Sequence, residues 1–221
     1  MIKLEAEELQ SNYETFIQLI NDNFTGDRKT NLLKLYDDLK DNIIFAPASS
    51  YKQFHGAYTG GYLIHILNVV NYSKIISKLW GKLGGTINYT EEELLFAALN
   101  HDLGKLGDID TNYYQINNSK WHIENQGKYF TKNSKLIHME VPDKGLFMLQ
   151  QYGLILTENE YLGIKLHDGM FLPGNELYWN KFIEEDRIRN NIIYILHQAD
   201  FMATQIERDK EKIIEMDDLP F

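Results

Sequence analysis

No cysteine occurs in the 221 residues, which removes disulfides, thiolate zinc sites and a cysteine nucleophile at once. Any metal must then be held by imidazole and carboxylate groups. Proline is nearly as scarce: four residues, at 47, 142, 173 and 220, leave long stretches that a helix can cross without a missing amide donor. Positive charge is in deficit too. Lys and Arg total 22 against 32 Asp and Glu, a formal net charge of −10, so an extended nucleic acid is repelled at long range unless a local basic channel intervenes. No apolar run approaches the ~20 residues of a bilayer-spanning helix. The opening Met1-Ile2-Lys3-Leu4-Glu5 also lacks the basic-then-apolar order of a secretory signal. These absences predict a cytoplasmic protein with no membrane partner.

What is present favours an all-α fold. Apolar residues recur at helical spacing in 1–45 (Phe16, Leu19, Ile20, then Leu32, Leu35, Leu39, Ile43), broken at Thr25-Gly26-Asp27, which predicts an N-terminal helical hairpin packed on the core. A main domain follows over 46–214, with a tail at 215–221. Tyr62 to Trp80 reads as a buried helix carrying His65. Thr90-Glu91-Glu92-Glu93 is a capping box opening a second helix that runs to Leu103, with Gly104 as its stop signal. From Asp108 to Ser134 the chain turns polar and aromatic, with Tyr113, Tyr114, Trp121 and Tyr129 near turn formers, consistent with a small hairpin or loop insertion. Those rings could stack a base at a cleft mouth or form a satellite core. Helical spacing returns at 144–152 and 158–166, and a last long helix is expected from about Glu184 to Ile214.

Four of the seven histidines sit in or beside apolar helical stretches with a carboxylate near in sequence: His65, His101 with Asp102, His167 with Asp168, and His197 near Asp200. Asp102 and Asp200 occupy positions where helix patterning would put core residues, and a buried carboxylate is costly unless paired or coordinating a metal. Imidazole and carboxylate together suit Mn, Fe, Co, Ni or Zn, with Mg also compatible. Adjacent residues on a helix point about 100° apart, so His101 and Asp102 share one ion only where other helices complete the shell.

An isolated His65, the doublet His101-Asp102 continuing as Leu103-Gly104-Lys105, and a distant Asp200 within Ala199-Asp200 resemble the signature of the HD-domain metal-dependent phosphohydrolase superfamily, over about residues 50–210. The chain is also similar to HD proteins encoded by tailed phages, which would place it in the cytoplasm of an infected host cell. The resemblance implies an HD-type helical bundle and a divalent cation, one or two ions, held by His65, His101, Asp102 and Asp200. The ion would activate water against the phosphate ester or anhydride of a small phosphorylated substrate, most simply a nucleotide. Asp102 and Lys105 are the implied catalytic residues, Lys105 meeting a phosphate oxygen as a point charge. His138 and His167 correspond to ligands of a second ion in two-metal branches. His55, in the loop before the His65 helix, and Asp168 are candidates for substrate contact.

Several alternatives share this residue set. A 3′-to-5′ exoribonuclease would need a basic channel from Lys105, Lys120, Lys128, Lys132 and Lys135. A cyclic-nucleotide phosphodiesterase is weakened by Met170-Phe171-Leu172-Pro173 in place of the Gly-Tyr-Pro signature of the cyclic-dinucleotide branch. A di-iron oxygenase would require both His138 and His167 as ligands. A non-catalytic nucleotide-binding module would have little use for a full ligand set. The oligomeric state is open.

Overall fold

The computed structural model describes residues 2–179, 181 and 183–217, with side chains through Lys212 and Ile213. Helix dominates these residues. The chain opens with α1 (Ala6–Asn23), α2 (Gly26–Asp38) and the short α3 (Lys40–Phe45), so the expected N-terminal hairpin carries one extra turn of helix after its second arm. Phe16, Ile20, Leu32, Leu35, Tyr36 and Ile43 on these helices are fully buried and belong to the same apolar cluster as the central helices.

Two helices form the spine. The long α4 (Gly61–Lys82) packs along α10 (Ile192–Asp217), while α5 (Glu91–Asn100) lies between α4 and α8 (Glu158–Leu166). The face of α5 from Leu94 to Asn100 is buried throughout, which an apolar run without alternation requires of a helix surrounded by others. Its start is set by the capping box at Thr90: Glu93 N–H donates to Thr90 Oγ1 at 3.1 Å, and Thr90 N–H donates to Glu93 Oε2 at 2.7 Å. The same device opens α8, where Glu160 N–H donates to Thr157 Oγ1 and Thr157 N–H to Glu160 Oε2.

Between α5 and α7 (Val141–Gln151) the chain makes a tight 3-10 turn, Leu103–Leu106, and then an inserted segment. That insertion pairs β1 (Gly107–Asp108) with β2 (Thr111–Asn112), and β3 (Tyr114–Ile116) with β4 (Phe130–Lys132), both antiparallel, with α6 (Lys120–Gln126) between β3 and β4. The expected hairpin is thus two minimal ladders, too short to stand alone. Backbone bonds tie them to the loop before α4: Lys52 N–H to Gly127 O at 2.8 Å and Tyr129 N–H to Ser50 O at 2.9 Å.

Three boundaries differ from the sequence reading. The helix of Leu94 ends at Asn100 rather than Leu103, and Gly104 sits inside the 3-10 turn. Its glycine is required because α7 crosses there: a Cβ at Gly104 would collide with the Val141 carbonyl. After the short α9 (Glu176–Trp179), the last helix begins only at Ile192, since residues 184–186 form a separate 3-10 turn and Arg187 after them is extended. Residues 215–217, read as tail, continue α10, and 218–221 lie outside the described residues. No helix among the described residues is long and apolar enough to cross a membrane.

One hydrogen bond couples the N-terminal helices to the chemistry-bearing end of α5. The fully buried Tyr36 hydroxyl donates to Asn100 Oδ1 at 2.8 Å, while Asn100 Nδ2 donates to Phe96 O at 2.7 Å. Tyr36→Phe strands the Asn100 oxygen without a donor, and we expect a loss of about 1–2 kcal/mol. A thermal midpoint lower by roughly 2–6 °C in calorimetry would report it; an unchanged midpoint would show that this bond contributes nothing to stability.

Candidate metal centre

His101 caps the C-terminal end of α5, and Asp102 opens the 3-10 turn that follows. The same construction recurs at the end of α8, where His167 caps the helix and Asp168 precedes the 3-10 turn Gly169–Phe171. In each case the imidazole Nδ1 lies 2.8 Å from the carbonyl three residues back, Ala98 for His101 and Ile164 for His167. A carbonyl only accepts, so Nδ1 carries the proton and Nε2 is turned inward. His65, on the inner face of α4, is held the same way by a carboxylate: its Nδ1 lies 3.1 Å from Glu207 Oε2, and Asn68 Nδ2 holds the other Glu207 oxygen at 2.7 Å.

The three Nε2 atoms converge on two aspartates. His65 Nε2 is 3.1 Å from Asp200 Oδ1 and 3.8 Å from Asp102 Oδ2; His101 Nε2 is 3.6 Å from Asp102 Oδ2; His167 Nε2 is 3.6 Å from Asp102 Oδ1. Most of these separations are too long for hydrogen bonds. They resemble the roughly 3–4 Å between neighbouring ligands around one ion whose bonds are about 2.1 Å. Among the described residues, Nε2 of both His65 and His101 is buried with no hydrogen-bond partner, and unpaired polar atoms at such depth call for a ligand. Ligand atoms of His65, His101 and Asp102, and of His101, His167 and Asp200, lie within 4.8 Å of one another, so these buried groups could hold a metal ion.

Electrostatics separates the histidines. Burial works to lower the pKa of His65, but the Glu207 and Asp200 carboxylates outweigh it and raise it to about 10. At His167 burial is likewise outweighed, by Asp168 and Asp102, and the value rises to about 9. His101 goes the other way, lowered to about 4 by burial that Asp102 only partly offsets. Asp102 is held well below the usual carboxyl range, because Lys105 and His101 overcome the burial that would raise it. Asp200 is depressed as well: burial is overcome by the His65 imidazole, whose Nε2 lies 3.1 Å away, and by those of His101 and His167. Lys105 Nζ sits 2.6 Å from Asp102 Oδ2 and is raised, since that carboxylate outweighs burial.

The structure brings together His65, His101, Asp102, Lys105 and Asp200, and adds His167, Asp168 and His55. The His55 ring lies 4.4 Å from that of His65. Burial, with His65 and Lys105 nearby, keeps it neutral, and neither of its ring nitrogens has a hydrogen-bond partner. His138 is not part of the group. It lies on the exposed stretch before α7, 80% exposed, with Glu140 3.9 Å away, so the pairing of His138 with His167 as second-ion ligands is corrected. His197 is a support rather than a ligand: its Nδ1 donates to the His167 carbonyl at 2.7 Å, and the left-handed Gly169 leaves room for its ring.

Glu207 was missed by sequence reasoning, although a signal existed. It stands seven residues after Asp200, two turns along the same face of α10. A carboxylate holding a ligand imidazole typically changes metal affinity about 10–100-fold on removal, and we expect Glu207→Ala to weaken cation binding by that factor while circular dichroism stays unchanged.

A second expectation follows from the raised imidazoles. In the metal-free chain, protonated His65 and His167 stabilise the fold fully below pH 6.5, and this contribution is lost as pH rises through about 9 to 10. The depressed Asp102 and Asp200 act oppositely, stabilising above the ordinary carboxyl range and losing this as pH falls. A cation needs neutral imidazoles, so its binding at pH 7.5 should expel more than one proton. Calorimetric titration in two buffers of different ionisation enthalpy measures that number; zero protons released would contradict the electrostatics described.

Comparison with protein-family models, with curated proteins and with solved structures finds no match to this chain in any of the three.

Proposed function

We propose that this chain is a metal-dependent phosphohydrolase of the HD type, cleaving the phosphate ester or anhydride of a small, nucleotide-like substrate. One observation carries the reading: imidazole Nε2 atoms from the ends or faces of three different helices meet the carboxylates of Asp102 and Asp200 in a buried pocket, with two of those nitrogens unpaired. The order of these residues along the chain, His65, His101-Asp102 and Asp200, resembles that superfamily's signature.

The donor set of nitrogen and carboxylate oxygen fits Mn, Fe, Co, Ni, Zn or Mg. A divalent cation there would supply electrophilic activation of a phosphoryl group and of water. The protein's own residues do the rest. A cleft of about 410 Å³ opens on Asp102, Asp200 and His167, a volume suited to a small ligand rather than a polymer. Lys105 and Arg208 on its wall supply positive charge for phosphate oxygens. Neutral His55 offers one donor and one acceptor, neither engaged. Asp168, with its side chain 40% exposed and 3.6 Å from His167 Nε2, is placed to take or return a proton at the cleft mouth. Phe54, Phe171 and Phe201 also line the cleft, the last two stacked with ring centroids 6.1 Å apart.

A phosphate-release screen over nucleotides, cyclic dinucleotides and short RNA, with Mn, Co, Ni and Mg in turn, tests the proposal. We expect release from a small nucleotide with at least one metal, and a loss of two or more orders of magnitude in Asp102→Ala, the several kcal/mol that a dismantled metal site removes. Equal turnover in that variant would refute the centre as the seat of reaction.

A further inference from the structure

A second, larger cavity lies beside the cleft. It encloses about 580 Å³ between the insertion and the connection from α3 to α4, and Lys105 lines both it and the metal-capable cleft. Nothing in the proposed hydrolysis accounts for this space, nor for the insertion that walls it. The ladders β1–β2 and β3–β4 add little to the main apolar cluster, yet backbone bonds fasten the insertion to Ser50 and Lys52. The fastening gives the cavity a fixed wall of aromatic rings and amides.

The lining has a definite chemistry. Tyr113 and Tyr114 both line it and meet edge to face at 4.9 Å, with Lys132 Nζ 5.5 Å from the Tyr113 ring centroid, an aromatic and cationic combination that suits a planar group. Asn42 and Asn133 hold the wall together, Asn42 Nδ2 donating to Leu106 O and Asp108 O at 2.9 Å and Asn133 Nδ2 to Asn112 O at 3.0 Å, while Asn112 and Gln115 bring further amide side chains to the lining. Its charged lining residues are Lys105, which also meets Asp102 at 2.6 Å, and Lys135 against Asp110. Ring faces, amide groups and a cationic wall next to a phosphoryl-handling cleft match a phosphorylated ligand whose organic part is planar and rich in hydrogen-bonding edges.

We propose that this cavity binds the nucleoside part of the substrate, with Lys105 at the shared wall holding the phosphate that enters the metal-capable cleft. The proposal rests on the phosphohydrolase reading for the reaction, but the binding it describes needs no turnover. It also assigns a role to the insertion: it selects which phosphorylated compound the centre meets.

Calorimetric binding to the metal-free 221-residue chain is the test, with four ribonucleoside 5′-monophosphates, ribose 5-phosphate and inorganic phosphate as probes. At least one nucleotide should bind about tenfold or more tightly than ribose 5-phosphate, the scale of a stacked base. Tyr113→Ala should erase that preference while inorganic phosphate binds as before. Thr111→Trp, which fills the cavity from β2, should do the same, so the result survives misfolding of either variant alone. Equal affinity for nucleotides, ribose 5-phosphate and inorganic phosphate would overturn the proposal, as would a preference that persists in both folded variants. Phosphate release measured in parallel keeps the two readings apart. Selective binding without hydrolysis under any metal removes the proposed reaction and leaves the cavity's role standing. Hydrolysis that ignores the organic group does the reverse.

Discussion

The structure turns on how each inward-facing imidazole is held by its other nitrogen. Nδ1 of His101 and His167 is fixed by a main-chain carbonyl of its own helix, and Nδ1 of His65 by Glu207. With that proton committed, ring orientation and tautomer are set, and the three Nε2 atoms have one direction left, toward Asp102 and Asp200. Burying this much unpaired polarity is unfavourable without compensation. The surrounding helices are arranged to supply it, with α10 contributing Asp200 and Glu207 on one face and the 3-10 turn after α5 contributing Asp102 and Lys105.

The ends of α5 and α8 repeat one local solution. Each helix starts with a Thr-x-x-Glu capping box and ends in a His-Asp pair whose histidine bonds back one turn. Capping fixes where a helix begins, and a helix of set length then fixes where its last residue projects. The pairing of α5 with α8, and of both with α10, brings the two ends together. Asp102 serves both: its Oδ2 faces His65 and His101 while its Oδ1 faces His167.

The clustered residues were legible in the chain because His65, His101, Asp102 and Asp200 sit in or beside apolar helical stretches, Asp102 and Asp200 at positions where apolar residues belong. The helices at 141–151 and 158–166 were legible from period and caps. Gly104 was misread as a helix stop because a stop signal and a site of close approach have the same letter. Only the crossing of α7 distinguishes them. His138 and His167 both correspond, by the family resemblance, to second-ion ligands, His167 the more closely. One lies on an exposed stretch and the other ends a buried helix, a difference of packing and not of local composition.

The sequence by itself determined that the chain is mainly helical, that any metal must sit among nitrogen and oxygen ligands, and which residues are out of place in an apolar interior. These follow from composition and period, which act within a few residues. Tertiary structure alone decided that Glu207 holds His65, that the His55 ring lies 4.4 Å from that of His65, and that the insertion and Lys105 line one cavity. Those relations join residues far apart in the chain. Their distances are set by how helices pack and where one backbone can approach another, which depends on side-chain volumes summed over the whole core.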